Sequence, residues 1–199
     1  MKYIIGLTGN IGAGKSVVLE MLARLGAGTI DADALAHKVM RKGTPVWEAI
    51  VRAFGPEVLA PDGELDRAAL GKIVFSDPSS LRRLEKIVHP AVIAETEILI
   101  QNAPQEVIAI EAIKLIESGM HRRCDALWVV TCKEEKRLER LVKKRGLSED
   151  EALSRIRAQP PQEEKAALAD VVIDNSGSLE ETFRQVKAAW EKIPPLAET

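Results

Sequence analysis

The chain has 199 residues and a mass of 21.8 kDa, with 46% hydrophobic side chains and 28 basic against 30 acidic residues for a formal net charge of −2. That apolar fraction supports a core and excludes global disorder, while near-neutrality and only 4% aromatic residues argue against a nucleic-acid coat or a stacking platform for single strands. No apolar run approaches the ~18 residues of a membrane helix, and the apolar part of Met1-Lys2-Tyr3-Ile4-Ile5-Gly6 is too short for a signal peptide. No nucleic-acid or membrane partner is therefore expected. Cys124 and Cys132 lie outside any C-x-x-C, which suits a reducing cytoplasm and reads as two buried small hydrophobes.

In chain order, the first element is a short apolar strand, Tyr3-Ile4-Ile5-Gly6-Leu7, followed by a glycine-rich turn and a helix starting near Lys15. Thr29-Ile30 reads as a short strand before Asp31. Further strands are predicted at Val107-Ile108-Ala109-Ile110, at 126–132, and at Val171-Val172-Ile173. These runs are continuous rather than alternating, the pattern of strands covered on both faces in a parallel sheet. Ser148 with Glu151 and Ser178 with Glu181 form capping boxes that open helices, the second running to about Lys192 before Pro194-Pro195. Strands alternating with helices predict a doubly wound α/β fold.

Residues 34–102 break the alternation. Helices are predicted near 34–42, 45–54, 66–75, 79–87 and 90–102, separated by Gly43-Thr44-Pro45, Pro61-Asp62-Gly63 and Asp77-Pro78. This stretch is too long for one crossover helix and reads as an inserted helical subdomain within a single domain.

Gly9-Asn10-Ile11-Gly12-Ala13-Gly14-Lys15-Ser16 matches G-x-x-x-x-G-K-[ST] between a strand and a helix. The glycines let the backbone curl into a nest of amides, and the helix adds its positive N-terminal end. Lys15 is expected to reach the β and γ phosphates of a nucleoside triphosphate, and Ser16 to offer its hydroxyl to magnesium. No N-K-x-D for guanine is present, so a small-molecule kinase or a nucleotide-binding regulator remains. Asp31-Ala32-Asp33 follows the Thr29-Ile30 strand and is expected at the carboxyl end of a strand neighbouring the phosphate loop. Phosphoryl transfer to a hydroxyl needs a carboxylate to orient it and take its proton. Asp33 is the choice for that base, its other reading being a helix cap; Asp31 caps the helix or holds a metal-bound water.

The ordered motifs resemble the dephospho-coenzyme A kinase family over nearly the whole chain, about 3–192. They are Gly6 to Ser16, Asp31-Ala32-Asp33, Phe54-Gly55, Gly63-Glu64-Leu65-Asp66-Arg67, Val74-Phe75, His89-Pro90, Arg155-Ile156-Arg157-Ala158-Gln159, and Ala169-Asp170-Val171-Val172-Ile173-Asp174-Asn175-Ser176-Gly177. The resemblance implies a P-loop kinase-like, three-layer α/β fold with a parallel sheet, a helical substrate-binding insert (about 34–103) and a helical lid (about 133–165) on a core of 1–33, 104–132 and 166–199. It implies transfer of the γ-phosphate of ATP, with Mg2+, to the ribose 3′-hydroxyl of dephospho-CoA, and no obligate protein partner. By resemblance Asp33 is the base on that hydroxyl, and Asn10, Ile11, Gly12, Ala13, Gly14, Lys15, Ser16 and Val17 cradle ATP.

Arg140 is then expected at the ATP phosphates, on a helix whose stretch 133–145 holds seven basic and three acidic residues. Asn175 is expected by the adenine, or is an ordinary turn residue. Arg67 and His89 lie where the family binds the coenzyme, and His89 reads equally as a capping or packing residue before Pro90. The chain departs from the family at Glu111-Ala112-Ile113-Lys114-Leu115-Ile116-Glu117, where Ile113-Lys114 replaces a Pro-Leu pair. It also departs at Val17, and at Lys136 and Lys165 around the lid.

Overall fold

The structure, a computed structural model, describes residues 2–195; Met1 and the 196–199 end of the expected core lie outside the described residues. In chain order its main elements are β1 (Tyr3–Thr8), α1 (Lys15–Arg24), β2 (Gly28–Asp31), α2 (Ala32–Val39), α3 (Pro45–Phe54), α4 (Arg67–Ser76) and α5 (Pro78–Asn102). Then follow β3 (Val107–Glu111), β4 (Ala126–Thr131), α6 (Glu134–Arg145), α7 (Glu149–Arg157), α8 (Gln162–Ala166), β5 (Val171–Asp174) and α9 (Leu179–Trp190). The chain divides into two compact units, Met1–Asp31 with Ala103–Thr199, and Ala32–Asn102.

The first unit is built on a parallel sheet in the order β2-β3-β1-β4-β5. The apolar runs of β1 and β4 are buried along nearly their whole length because both faces are covered. The edge strands differ from the expectation of continuous burial: β2 and β5 alternate, and Val172 is left 45% exposed. An edge strand has a neighbour on only one side, so its cover is incomplete. On one face Ile5, Leu7, Ala109, Trp128, Val130 and Ile173 form a core with Val18, Met21 and Leu22 of α1 and Val186 of α9. Gly6 points the other way, where a Cβ would lie 2.7 Å from Leu115 and 2.8 Å from the Cys124 thiol, so the loop after β3 closes directly on the sheet. Both predicted capping boxes are formed, opening α7 and α9.

A smaller apolar cluster joins α6 and α7 through Leu141, Ala152 and Ile156, with the Ile11 side chain packed against it. Both cysteines are free thiols; burial, assisted by the charge of Asp125, pushes Cys124 up to about 12, and burial also raises Cys132.

The second unit is helical. Thr44 caps α3 by accepting the Trp47 N–H at 3.1 Å, and Asp66 caps α4 by accepting from the Ala68 and Ala69 N–H groups. The predicted break at Pro90 does not occur: α5 is one helix of 25 residues with Pro90 inside it. Proline removes one N–H and crowds the preceding turn, but Val88, Val92 and Thr96 are buried on either side, and that packing outweighs the local penalty.

Trp128→Ala should destabilise the protein by about 3–5 kcal/mol, because Trp128 is 1% exposed at the centre of the sheet. A urea-midpoint shift worth under about 1 kcal/mol would contradict this core assignment. With both thiol pKa values raised, neither cysteine should react appreciably with a disulfide reagent at pH 8 in the native state, and both should react after denaturation.

Candidate active site

The phosphate loop runs from the end of β1 to the start of α1. Gly12 and Gly14 have φ of 76° and 94°, the left-handed region that a side chain disfavours. Gly14 is also the N-cap of α1, with no side-chain cap and no acidic residue in the first turn. At the start of α1 no side-chain cap therefore competes with an anion for the helix end. Lys15 follows, 7% exposed, with its Nζ 3.8 Å from Glu111 Oε1. Ser16 is exposed at the same helix start, and Val17 continues the helix by donating to Gly14 O at 3.1 Å.

The carbonyl side of the loop faces protein. Arg140 Nη1 donates to Ala13 O at 3.0 Å and to Gly12 O at 3.3 Å, and its Nη2 donates to Asn175 O at 2.8 Å. Asn175 is 1% exposed; its Nδ2 donates to Ala13 O at 2.8 Å, and its Oδ1 accepts from Thr182 Oγ1 at 3.0 Å. Arg140 and Asn175, expected at the phosphates and at the adenine, both meet the loop by gripping its backbone carbonyls. The Asn175 side chain is engaged at both ends inside the protein rather than presented to a base. Asn10, also 1% exposed, donates through Nδ2 to Pro160 O at 2.8 Å. The Ile11 N–H donates to Gln159 Oε1 at 2.7 Å, so this amide is turned away from the nest it was expected to join. Arg137 Nε donates to Ile11 O at 2.9 Å.

The acid pair needs a correction. β2 does not adjoin the strand of the phosphate loop; β3 lies between them. The chain leaves the sheet after Asp31, builds four helices, and returns to insert β3 beside β1. Asp31 is therefore in register with Glu111, which is in register with Leu7. The carboxylate at the end of the neighbouring strand is Glu111, a residue expected from the sequence to support the metal through water but not to ligate it. Asp33 is the second residue of α2, half-buried, in its first turn.

The loop after β3 carries the departure at Ile113-Lys114. Its Ile113 O accepts from Lys165 Nζ at 2.8 Å and from Thr8 Oγ1 at 3.2 Å, and Lys165 pairs with Glu117 at 3.0 Å. Lys165, 6% exposed, thus ties α8 to this loop, whereas Lys136 is solvated on α6 with Glu139. Lys114 itself is exposed.

In the helical unit, Arg67 lines a cavity of about 410 Å³ with His37, Arg41, Leu70, Val74 and Phe75. Phe75 is 79% exposed, unusual for an aromatic ring unless something covers it. His89, half-buried within α5, does not line that cavity. His37 and Arg41 escaped sequence reading because nothing in their local pattern separates them from a solvated helix face. Among the described residues no group of three His, Cys, Asp or Glu could hold a metal, and no helix is long and apolar enough to cross a membrane. The oxygen donors near the loop, the Ser16 hydroxyl and the Glu111 carboxylate that closes β3, fit a magnesium held mainly by phosphate oxygens.

Comparison with known proteins places this geometry. The sequence model of the family described as dephospho-CoA kinase matches residues 3–181. A dephospho-CoA kinase of Symbiobacterium thermophilum is 51% identical over 190 residues, covering 94% of this chain and 80% of its own. That of Aquifex aeolicus is 47% identical over 190 residues, covering 95% of this chain and 96% of its own. Among solved structures, TT1252 from Thermus thermophilus has a TM-score of 0.86 at 38% identity, covering 98% of this chain and 99% of its own. The dephospho-CoA kinase from Campylobacter jejuni has a TM-score of 0.67 at 27% identity, covering 96% and 97%. A shikimate kinase from Bacteroides thetaiotaomicron, at 13% identity and a TM-score of 0.57 over 95% of this chain and 98% of its own, shares the fold alone. With a phosphate loop at the head of α1, a five-stranded parallel sheet and a family match over residues 3–181, the chain belongs to the dephospho-CoA kinase family.

Proposed function

We propose that the protein transfers the γ-phosphate of ATP to the ribose 3′-hydroxyl of dephospho-CoA, giving CoA and ADP. The observation that carries this reading is the uncapped start of α1 behind Gly14, with Lys15 buried beside it, in a chain of this family. The amides of Gly12 and Gly14 and the start of α1 serve the triphosphate, while those of Ala13 and Val17 stay in backbone bonds to Asn10 O and Gly14 O; Lys15 neutralises charge on the β and γ phosphates. Arg140 and Asn175 act from the far side of the loop by holding its carbonyls. Ser16 would hold Mg2+ together with phosphate oxygens, and that ion supplies neutralisation of the phosphate charge.

Asp33 orients the acceptor hydroxyl and takes its proton as the phosphoryl group arrives. The coenzyme is bound by the helical insert, where Arg67 offers its guanidinium to a diphosphate. The cavity beside Arg67 is largely apolar, which suits a pantetheine arm. His89, on α5, is assigned to the same substrate without a defined contact. Residues 133–165 serve as the lid. A cytoplasmic location suits the two free thiols. The reaction needs only the two small-molecule substrates, with no nucleic acid, membrane or obligate protein partner.

With ATP and magnesium, dephospho-CoA should be converted at a rate well above that of adenosine or AMP. Equal turnover of acceptors lacking the pantetheine arm would sink the assignment. Lys15→Ala should reduce kcat by about two orders of magnitude or more while circular dichroism stays native; full activity would contradict the role of the loop. Asp33→Asn should reduce kcat by about two orders of magnitude with little change in KM for ATP, and an unchanged kcat would reassign the base. Arg67→Ala should raise KM for dephospho-CoA and leave KM for ATP unaltered; the reverse pattern would move Arg67 out of the acceptor site.

A further inference from the structure

Ile11, in the phosphate loop, is held through both backbone polar groups and through its side chain. Its N–H donates to Gln159 Oε1 at 2.7 Å, and its C=O accepts from Arg137 Nε at 2.9 Å. Its side chain packs against the cluster of Leu141, Ala152 and Ile156 between α6 and α7. The neighbouring Asn10 donates to Pro160 O at 2.8 Å, so the segment that follows α7 stitches the loop twice.

These contacts set the direction of the peptide groups. In a trans peptide the carbonyl of one residue and the amide of the next point in opposite directions. With Ile11 O drawn to Arg137, the Gly12 N–H faces away from α6. With the Ile11 N–H drawn to Gln159, the Asn10 carbonyl faces away from Gln159, where it accepts the Ala13 N–H at 3.2 Å and closes the turn. Gly12 lets the backbones meet: a Cβ there would lie 3.0 Å from Arg137 O and 3.2 Å from Arg137 Cα.

Arg137 is an expensive residue for a purely structural place. It is 5% exposed, and its Nη2 is buried with no hydrogen-bond partner. Burial lowers its pKa from the usual arginine range, opposed by the nearby charge of Glu134. An apolar side chain would fill the same space beside the α6–α7 cluster without leaving a buried donor unmet. What an apolar side chain cannot do is hold Ile11 O.

We propose that Arg137 and Gln159 are a positioning pair for the phosphate loop: by holding the two polar groups of Ile11 from outside, they aim the Gly12 amide at a bound nucleotide's phosphate. The proposal rests on the reading that this loop takes the ATP phosphates. It assigns to α6 and the end of α7 a role in nucleotide affinity without direct contact with the nucleotide.

The test measures ADP and AMP binding, with magnesium, by calorimetry on the full chain, alongside steady-state kinetics. Gln159→Met and Arg137→Met should each weaken ADP about tenfold, since each loses one hydrogen bond that orients a phosphate donor, while AMP changes less than twofold. KM for ATP should rise and KM for dephospho-CoA should stay constant. Arg137→Lys keeps a donor for Ile11 O and should recover most of the ADP affinity. Gln159 is only half-buried, so its variant reports even if Arg137→Met fails to fold.

Equal weakening of ADP and AMP, unchanged ADP affinity in Gln159→Met, or a Lys variant no better than the Met variant would each overturn the pair. A wild-type protein that binds ADP no better than AMP would instead remove the reading of the loop itself, and the pair's role with it. Wild-type preference for ADP with unaffected variants would remove the pair alone.

Discussion

The orientation of the peptide groups in residues 9–14 is the constraint on which the rest of the structure depends. A loop that turns amides toward an anion must turn carbonyls toward something else, and buried carbonyls need donors. Arg137, Arg140 and Asn175 supply them, at Ile11, Gly12 and Ala13. Once these donors are required behind the loop, much of the surrounding sequence follows. Arg140 reaches Asn175 O across the end of β4, and Asn175 must be held in turn by Thr182 of α9. The basic helix α6 therefore divides by face: Arg137 is buried against the loop, while Lys136 and Lys143 sit in solvent sharing Glu139. Only the second group is the solvated, salt-bridged surface that a charged helix usually presents, and such exposed pairs contribute little stability.

A second constraint comes from the order of the sheet. Because the chain departs after Asp31 and returns before β3, the strand beside the phosphate loop is one that lies far along the sequence. This places Glu111 rather than Asp31 in register with Leu7 and within 3.8 Å of Lys15. The buried ammonium of Lys15 thus has a carboxylate within ion-pair distance before any phosphate is bound, which lowers the cost of holding it nearly dehydrated. The same neighbouring loop is fixed from the other end by Lys165, which pairs with Glu117 and donates to Ile113 O. The family's Pro-Leu pair is replaced there by Ile113-Lys114, yet what anchors the loop is a backbone carbonyl that any residue at 113 would provide. The substitution changes side chains on the loop without removing that attachment.

The helical unit shows the same precedence of packing over local preference. Pro90 is a strong signal for a helix boundary, but α5 continues through it because buried residues on both sides hold the helix in place. The cavity lined by His37, Arg41, Arg67 and Phe75 likewise draws on α2 and α4, elements separated in sequence and joined only by folding.

The sequence by itself determined the elements that depend on local chemistry. The apolar runs marked four of the five strands and Thr29-Ile30 marked β2, the serine–glutamate pairs marked the starts of α7 and α9, and the glycine, lysine and serine spacing marked the phosphate loop. The ordered motifs identified the family, because they report residues whose chemistry is needed in sequence order. Strand order was not determined locally, since any of several strands could have lain beside β1, and so Glu111 was given only a supporting role through water and Asp31 was set too close. Nor was the direction of the side chains behind the loop. Arg140 and Asn175 carry charge and amide groups that suit a nucleotide equally well, and only tertiary structure showed them turned to backbone carbonyls. Arg137 and Gln159 are distant from Ile11 in the chain. A hydrogen bond between remote residues leaves no periodicity or spacing, so the two groups that fix Ile11 became visible only when the α6–α7 pair was packed against the loop.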